Sequence, residues 1–173
     1  LQVTMVFPEK QVMAEFFAPD MAAFFQAYYT ARGVTLRPGV TVTGFSGEDH
    51  VTHVQIDSSE ELPADFVIAG IGVEPATGLL EGSGLHLHDG IVVNKYLETN
   101  RDGIYAAGDV ANYYDVIFQK RRRIEHWDNA VQQGQHAARV MTAAKKRDEF
   151  MYLRYFFSDV FDLSYEFWGD TSQ

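Results

Sequence analysis

Not one of the 173 residues is a cysteine, and that absence removes three chemistries together: a disulfide framework, a thiolate metal site and a redox dithiol. Basic charge is scarce as well, with 14 Lys and Arg against 24 Asp and Glu, a net charge of −10. Such a balance lacks the basic footprint by which a domain face neutralises phosphates, which argues against a nucleic-acid role. No apolar run reaches the roughly 18 residues of a membrane span, and the first residues show no basic-then-apolar signal pattern. Neither a membrane nor export is indicated, and the cytoplasm is the expected compartment. Also missing are the G-x-G-x-x-G loop of a dinucleotide site and the G-x-S-x-G elbow of a serine hydrolase. Six histidines include the His86-x-His88 pair beside Asp89, but no partner follows at a metal-site spacing, so no metal is expected.

What is there can build a core. Hydrophobic residues make up 46% of the chain and aromatics 14%, over a length that suits about one domain. Leu1 to Phe7 reads as a β-strand that begins inside a fold, and Pro8-Glu9-Lys10 ends it with a carboxylate just beyond. Ala18 to Gly33 reads as a helix, with Pro19 and Asp20 in its first turn and glycine at its close. Val34 to Leu36 follows as a strand, the strand-helix-strand order of a parallel sheet. Val40 to Phe45 and Val51 to Asp57 flank the turn residues Ser46-Gly47-Glu48-Asp49 as a hairpin. Phe66 to Gly72 is a continuous apolar run of the kind buried on both faces of a parallel sheet, ending in Gly70 and Gly72 before Pro75 turns the chain.

The stretch Leu97 to Asn112, LETNRDGIYAAGDVAN, carries most of the functional information. Gly103 to Ala107 reads as a short β-type run that ends in Gly108 and Asp109, at the carboxyl end of a strand, where open α/β sheets bind ligands. Gly108 has no Cβ to keep a ligand off the backbone, and Asp109 can accept hydrogen bonds from a sugar or polyol hydroxyl. For the four residues Ala106 to Asp109 taken alone, a buried strand ending in a structural Gly-Asp turn is the simpler explanation.

Thr99, Tyr105, Ala106, Gly108 and Asp109 form the T-x5-Y-A-x-G-D pattern, and this resembles the second flavin-binding motif of two-dinucleotide flavoprotein reductases. VTMVFPE (3–9), YYTARGVTLRPGV (28–40), LPADFVIAGIGVEPATGLL (62–80), RRRIEHWDNA (121–130) and FFSDVFDLSYEFWGD (156–170) extend the resemblance in one order over essentially the whole chain. The branch is that of monodehydroascorbate reductase, apoptosis-inducing factor and the ferredoxin or rubredoxin reductases, without the dithiol. The likeness is greatest to the monodehydroascorbate reductases. The resemblance implies an α/β fold that is part of a two-dinucleotide, Rossmann-like flavoprotein. Residues 1–75 would be the last part of its NAD domain, 76–145 the closing part of its FAD domain and 146–173 the start of an α+β interface domain. Both glycine loops would lie outside the chain, so the isolated fragment is expected to be inactive.

By resemblance, Asp109 would hold the FAD ribityl hydroxyls, with Gly108, Val110 and Ala111 along the cofactor. Glu125, His126 and Trp127 would pass beside the isoalloxazine, with the helix that starts at Asp128 aimed at its polar edge. Gly70, Ile71 and Gly72 would face the nicotinamide, and Glu9 would hold the adenosine ribose. A carboxylate there suits a free 2′-hydroxyl and repels a 2′-phosphate, so NADH is preferred over NADPH. Phe157 and Arg123 are the substrate-side candidates. The basic run Lys120 to Arg123 reads as solvated loop charge or as a patch that steers an anionic substrate or an acidic electron carrier, and Lys145 to Arg147 as solvated charge. Phe157 and Asp159 stand where monodehydroascorbate reductases usually have Tyr and Arg, which weakens the case for an anionic ascorbyl radical. The implied acceptor is a small radical or quinone, or an iron-sulfur carrier, with a homodimer as the expected assembly. A flavoprotein that acts mainly by binding, and an inactive truncated relic, are the alternatives.

Overall fold

Three stretches of chain, residues 1–57, 59–142 and 147–169, are described by the computed structural model. Lys145 and Lys146 of the second basic run, and Asp170 at the end of DLSYEFWGD, lie outside them. The chain divides into two compact units, the first over residues 1–71 and the second beginning at Gly72.

In the first unit, β1 (Val3–Phe7) pairs in parallel with β2 (Val34–Pro38), Val3 opposite Val34 and Phe7 opposite Pro38. Helix α1 (Pro19–Ala31) is the crossover between them. Its proline sits where a missing N–H costs nothing, and Gly33 closes it at φ +82°. Ala22 and Phe25 are its buried positions, and Phe25 stacks on Phe17 at 5.1 Å. Glu9 follows the carboxyl end of β1, where its carbonyl accepts the Gly39 N–H at 2.9 Å. The hairpin β3 (Val42–Ser46) and β4 (His53–Ile56) is antiparallel, and β5 (Glu61–Pro63) adds a third strand.

The apolar run after β5 departs from expectation. Phe66 to Gly72 is not a strand: the segment takes part in no ladder, and Phe66, Ile68 and Ile71 are exposed, Ile71 to 90%. A parallel strand is made by neighbours on both sides that satisfy its backbone, and no described strand pairs with it.

In the second unit, β6 (Ile91–Val92) runs parallel to β7 (Ala111–Asp115), which pairs antiparallel with β8 (Lys120–Arg122). Helix α2 (Trp127–Thr142) and the hairpin of β9 (Tyr155–Val160) and β10 (Leu163–Trp168) complete it. Its core joins Ile91, Val93, Leu97, Ala111, Tyr113 and Phe150. Gly103 to Ala107 is also not a strand, since only Tyr105 bridges back, to Glu98. The turn at Asp102 and Gly103 leaves room for one pair before the chain must bend to reach Gly108.

The stripe that α2 turns inward is partly polar: Asn129, Gln133 and His136 are buried beside Ala137 and Val140. His136 lies edge-on to Phe150 at 5.4 Å. Burial first, and Arg139 second, hold its pKa below 6.5, against a weaker opposite pull from Asp148. A histidine with a depressed folded pKa contributes stability above its unfolded pKa, and loses it as pH falls from there towards the folded value. Chemical denaturation from about pH 7 to about pH 5 should therefore show falling stability, and His136→Leu should flatten that slope. An unchanged slope in the variant would assign the acid sensitivity to other groups.

Candidate functional site

Four expected site residues of the second unit, Gly108 to Ala111, form one turn, and Arg123 bonds to it. Gly108 adopts φ +81°, a backbone that glycine takes without strain, and its carbonyl accepts the Ala111 N–H at 2.9 Å to close the turn Gly108–Ala111. Asp109 projects from that turn into solvent, its carboxylate free of hydrogen bonds and ion pairs among the described residues. Val110 offers its carbonyl to the Ile91 N–H at 2.7 Å, and Ala111 is fully buried in the core.

Helix α2 begins against this turn. A Cβ on Gly108 would stand 3.4 Å from that of Ala130, and the buried Gly108 N–H donates to Gln133 Oε1 at 2.8 Å. His126 opens the helix, its carbonyl accepting the Ala130 N–H at 3.0 Å and its Nδ1 accepting the Asp128 N–H at 3.3 Å. An accepting Nδ1 leaves the proton of the neutral ring on Nε2. Tyr152 donates to the Asp128 carboxylate, tying the segment before β9 to the first helical turn. Glu125 is exposed, and Trp127 is 69% exposed despite its size.

Chain folding brings together residues that are far apart in sequence. His126 packs between Phe156, at 4.5 Å, and the edge of Phe157, at 5.6 Å, while Phe157 remains 48% exposed. Arg123, expected on the substrate side, is largely enclosed and engaged on three sides. It bonds Asp89 at 2.9 Å and the Asp109 carbonyl at 3.0 Å, and it ion-pairs with Glu125. Burial alone would lower its pKa, yet its bonds to Glu125 and Asp89 outweigh that and raise it, so the charge is permanent. Glu9, Gly70 and Ile71 belong to the first unit. Glu9 is half-buried, its carboxylate free among the described residues, Gly70 and Ile71 are exposed, and Gly72, at φ +90°, opens the second unit.

Asp89, Gln133 and Tyr152 carry much of this geometry; the sequence marks Asp89 only as a neighbour of the His86-x-His88 pair, and Gln133 belongs to no motif. For Gln133 a signal existed: a polar side chain four residues after Asn129, on the face of α2 that must be buried.

The arrangement pairs a free acceptor carboxylate, on a fixed turn, with the positive end of a helix and an accessible aromatic face. That donor set fits a polyhydroxylated, anionic, flat-ringed cofactor. Residues 1–134 match the family described as pyridine nucleotide-disulphide oxidoreductase. The chain belongs to that family. Among relatives of the oxidoreductase, "Monodehydroascorbate reductase 4, peroxisomal" of Arabidopsis thaliana is 39% identical over 99% of the chain, and "Monodehydroascorbate reductase" of Pisum sativum is 37% identical over 99%. Of solved structures, a ferredoxin reductase of Rhodopseudomonas palustris superposes with a TM-score of 0.86 at 32% identity, covering 96% of the chain and 41% of its own. The reductase of a covalent putidaredoxin reductase–putidaredoxin complex gives 0.89 at 31%, covering 98% and 41%. The chain spans only 36% and 41% of the two plant relatives.

Proposed function

We propose that the full-length protein is an FAD-dependent NADH oxidoreductase, and that residues 1–75, 76–145 and 146–173 belong to its NAD, FAD and interface domains. Bound there, FAD would supply hydride acceptance from NADH and single-electron transfer to an acceptor. The observation that carries the proposal is the free Asp109 carboxylate, held on a rigid turn against the start of α2 in a chain of this family.

Asp109 accepts hydrogen bonds from the ribityl hydroxyls, while Gly108, Val110 and Ala111 supply the backbone along the chain. Glu125, His126 and Trp127, at the amino end of α2, flank the ring, where the helix dipole stabilises negative charge. Glu9 accepts from the adenosine ribose of NADH, and Gly70, Ile71 and Gly72 lie on the nicotinamide side. Phe157, exposed beside His126, is the substrate-side contact.

Two acceptor classes are supported by different relatives. The plant sequences favour an organic radical such as monodehydroascorbate; the putidaredoxin complex favours an iron-sulfur carrier. NADH oxidation by the full-length protein, assayed in parallel with monodehydroascorbate, ferricyanide and a ferredoxin, tests the proposal. Turnover with at least one is expected, with NADH favoured over NADPH by about tenfold or more. No turnover with any acceptor would sink the assignment.

Among the described residues no helix is long and apolar enough to cross a membrane. We propose the cytoplasm as the compartment and a homodimer as the assembly. Imaging of tagged full-length protein tests the first, with the peroxisome named by the Arabidopsis relative as the competing outcome, and sedimentation tests the second.

A further inference from the structure

A carboxylate that binds hydroxyl groups is only as selective as its direction is fixed, and the turn carrying Asp109 is held from both ends by side chains. At one end the Gly108 N–H donates to Gln133 Oε1 at 2.8 Å. Gln133 is fully buried, and this N–H fixes which way its amide points, since only the oxygen can accept; its Nε2 has no partner among the described residues. At the other end the Asp109 carbonyl accepts from Arg123 Nη1 at 3.0 Å. Asp89 and Glu125 orient that guanidinium, and a mere 13% of its side chain is exposed. Between these points the turn closes on itself through Gly108 and Ala111, and Val110 is bonded to Ile91. The backbone on either side of Asp109 is therefore locked, and its side chain is the group left free.

Resting on the flavin reading above, we propose that Gln133 and Arg123 are positioning residues that set the direction of the Asp109 carboxylate, and thereby the affinity for the ribityl chain. Gln133 spends a buried amide on this one bond while leaving its own NH2 unsatisfied. That is an unfavourable choice for packing alone, where an apolar side chain of the same shape would serve better. Arg123 serves the turn on this view, its Nε and Nη1 being committed to Asp89, Glu125 and the Asp109 carbonyl.

The test is a double-mutant cycle on the full-length apoprotein, with FAD dissociation constants from flavin fluorescence and a thermal midpoint for each apo form. Gln133→Leu should weaken FAD by about tenfold, the effect of one lost buried hydrogen bond. Gln133→Glu, which keeps an acceptor oxygen, should stay within about threefold of wild type. If Gln133 acts through Asp109, the double variant Gln133→Leu with Asp109→Ala binds no more weakly than Asp109→Ala alone, within about twofold. Additive losses would assign Gln133 an ordinary structural role and overturn the proposal. Affinity lost in Asp109→Ala but kept in Gln133→Leu would overturn the clamp alone; affinity kept in Asp109→Ala would overturn the flavin reading itself. Should Gln133→Leu not fold, Arg123→Gln enters the same cycle, and additivity there is equally fatal.

Discussion

Asp109→Ala in the full-length protein is expected to release FAD while leaving the fold intact. The carboxylate is exposed and makes no bond within the described residues, so its removal costs stability no more than about 0.5 kcal/mol, as for other surface substitutions. What it loses is binding. A carboxylate that accepts from two hydroxyls makes two charge-assisted hydrogen bonds, together worth about 3 kcal/mol or more, or roughly a hundredfold in affinity. Purified variant should carry little flavin, seen as a fall in the ratio of visible to ultraviolet absorbance, and should keep its far-ultraviolet circular dichroism. Asp109→Asn keeps one acceptor oxygen without the charge and should lie between variant and wild type. A fully yellow Asp109→Ala protein would mean that the Gly-Asp turn is structural, the simpler reading that the four residues alone allow.

Gly90→Ala should be strongly damaging, through stability. Its φ of +98° is unfavourable for any residue with a Cβ, and the new methyl would stand 2.3 Å from the Val110 carbonyl oxygen and 3.0 Å from Arg123 Cδ. The Val110 carbonyl is backbone bonded to Ile91, so it cannot move without breaking the pairing of β6 with β7. Strain of about 1–2 kcal/mol adds to a clash of at least similar size, for a total of about 3 kcal/mol or more. Gly103 is the control: it has φ +76° but nothing within 4 Å of an added Cβ. Gly103→Ala should cost the strain alone, about 1 kcal/mol. Urea unfolding of the two variants side by side checks the difference, and equal losses would show that backbone strain, not space, governs both positions.

Much of the fold was legible along the chain. Helix α1 was marked by proline, aspartate and glycine acting locally, and the β3–β4 hairpin by alternation around its turn residues. Both signals come from interactions within a few residues, which sequence order preserves. The run Phe66 to Gly72 misled because its apolar character states that it can be buried, not what buries it; strand formation depends on partners, and here none is described. Gly103 to Ala107 misled for a related reason, since a β-rich composition does not form a ladder where the chain pairs once and turns.

The sequence by itself determined the family and the place of the Gly108-Asp109 motif, because residue types at fixed spacing state what chemistry a short segment can present. It could not state what holds that segment. Only the tertiary structure put Gln133 under Gly108, bonded Arg123 to the Asp109 carbonyl, and set Phe157 against His126. Those contacts join residues 14 to 31 positions apart, and a hydrogen bond or a ring contact is decided by distance and direction in space, which no spacing along the chain records.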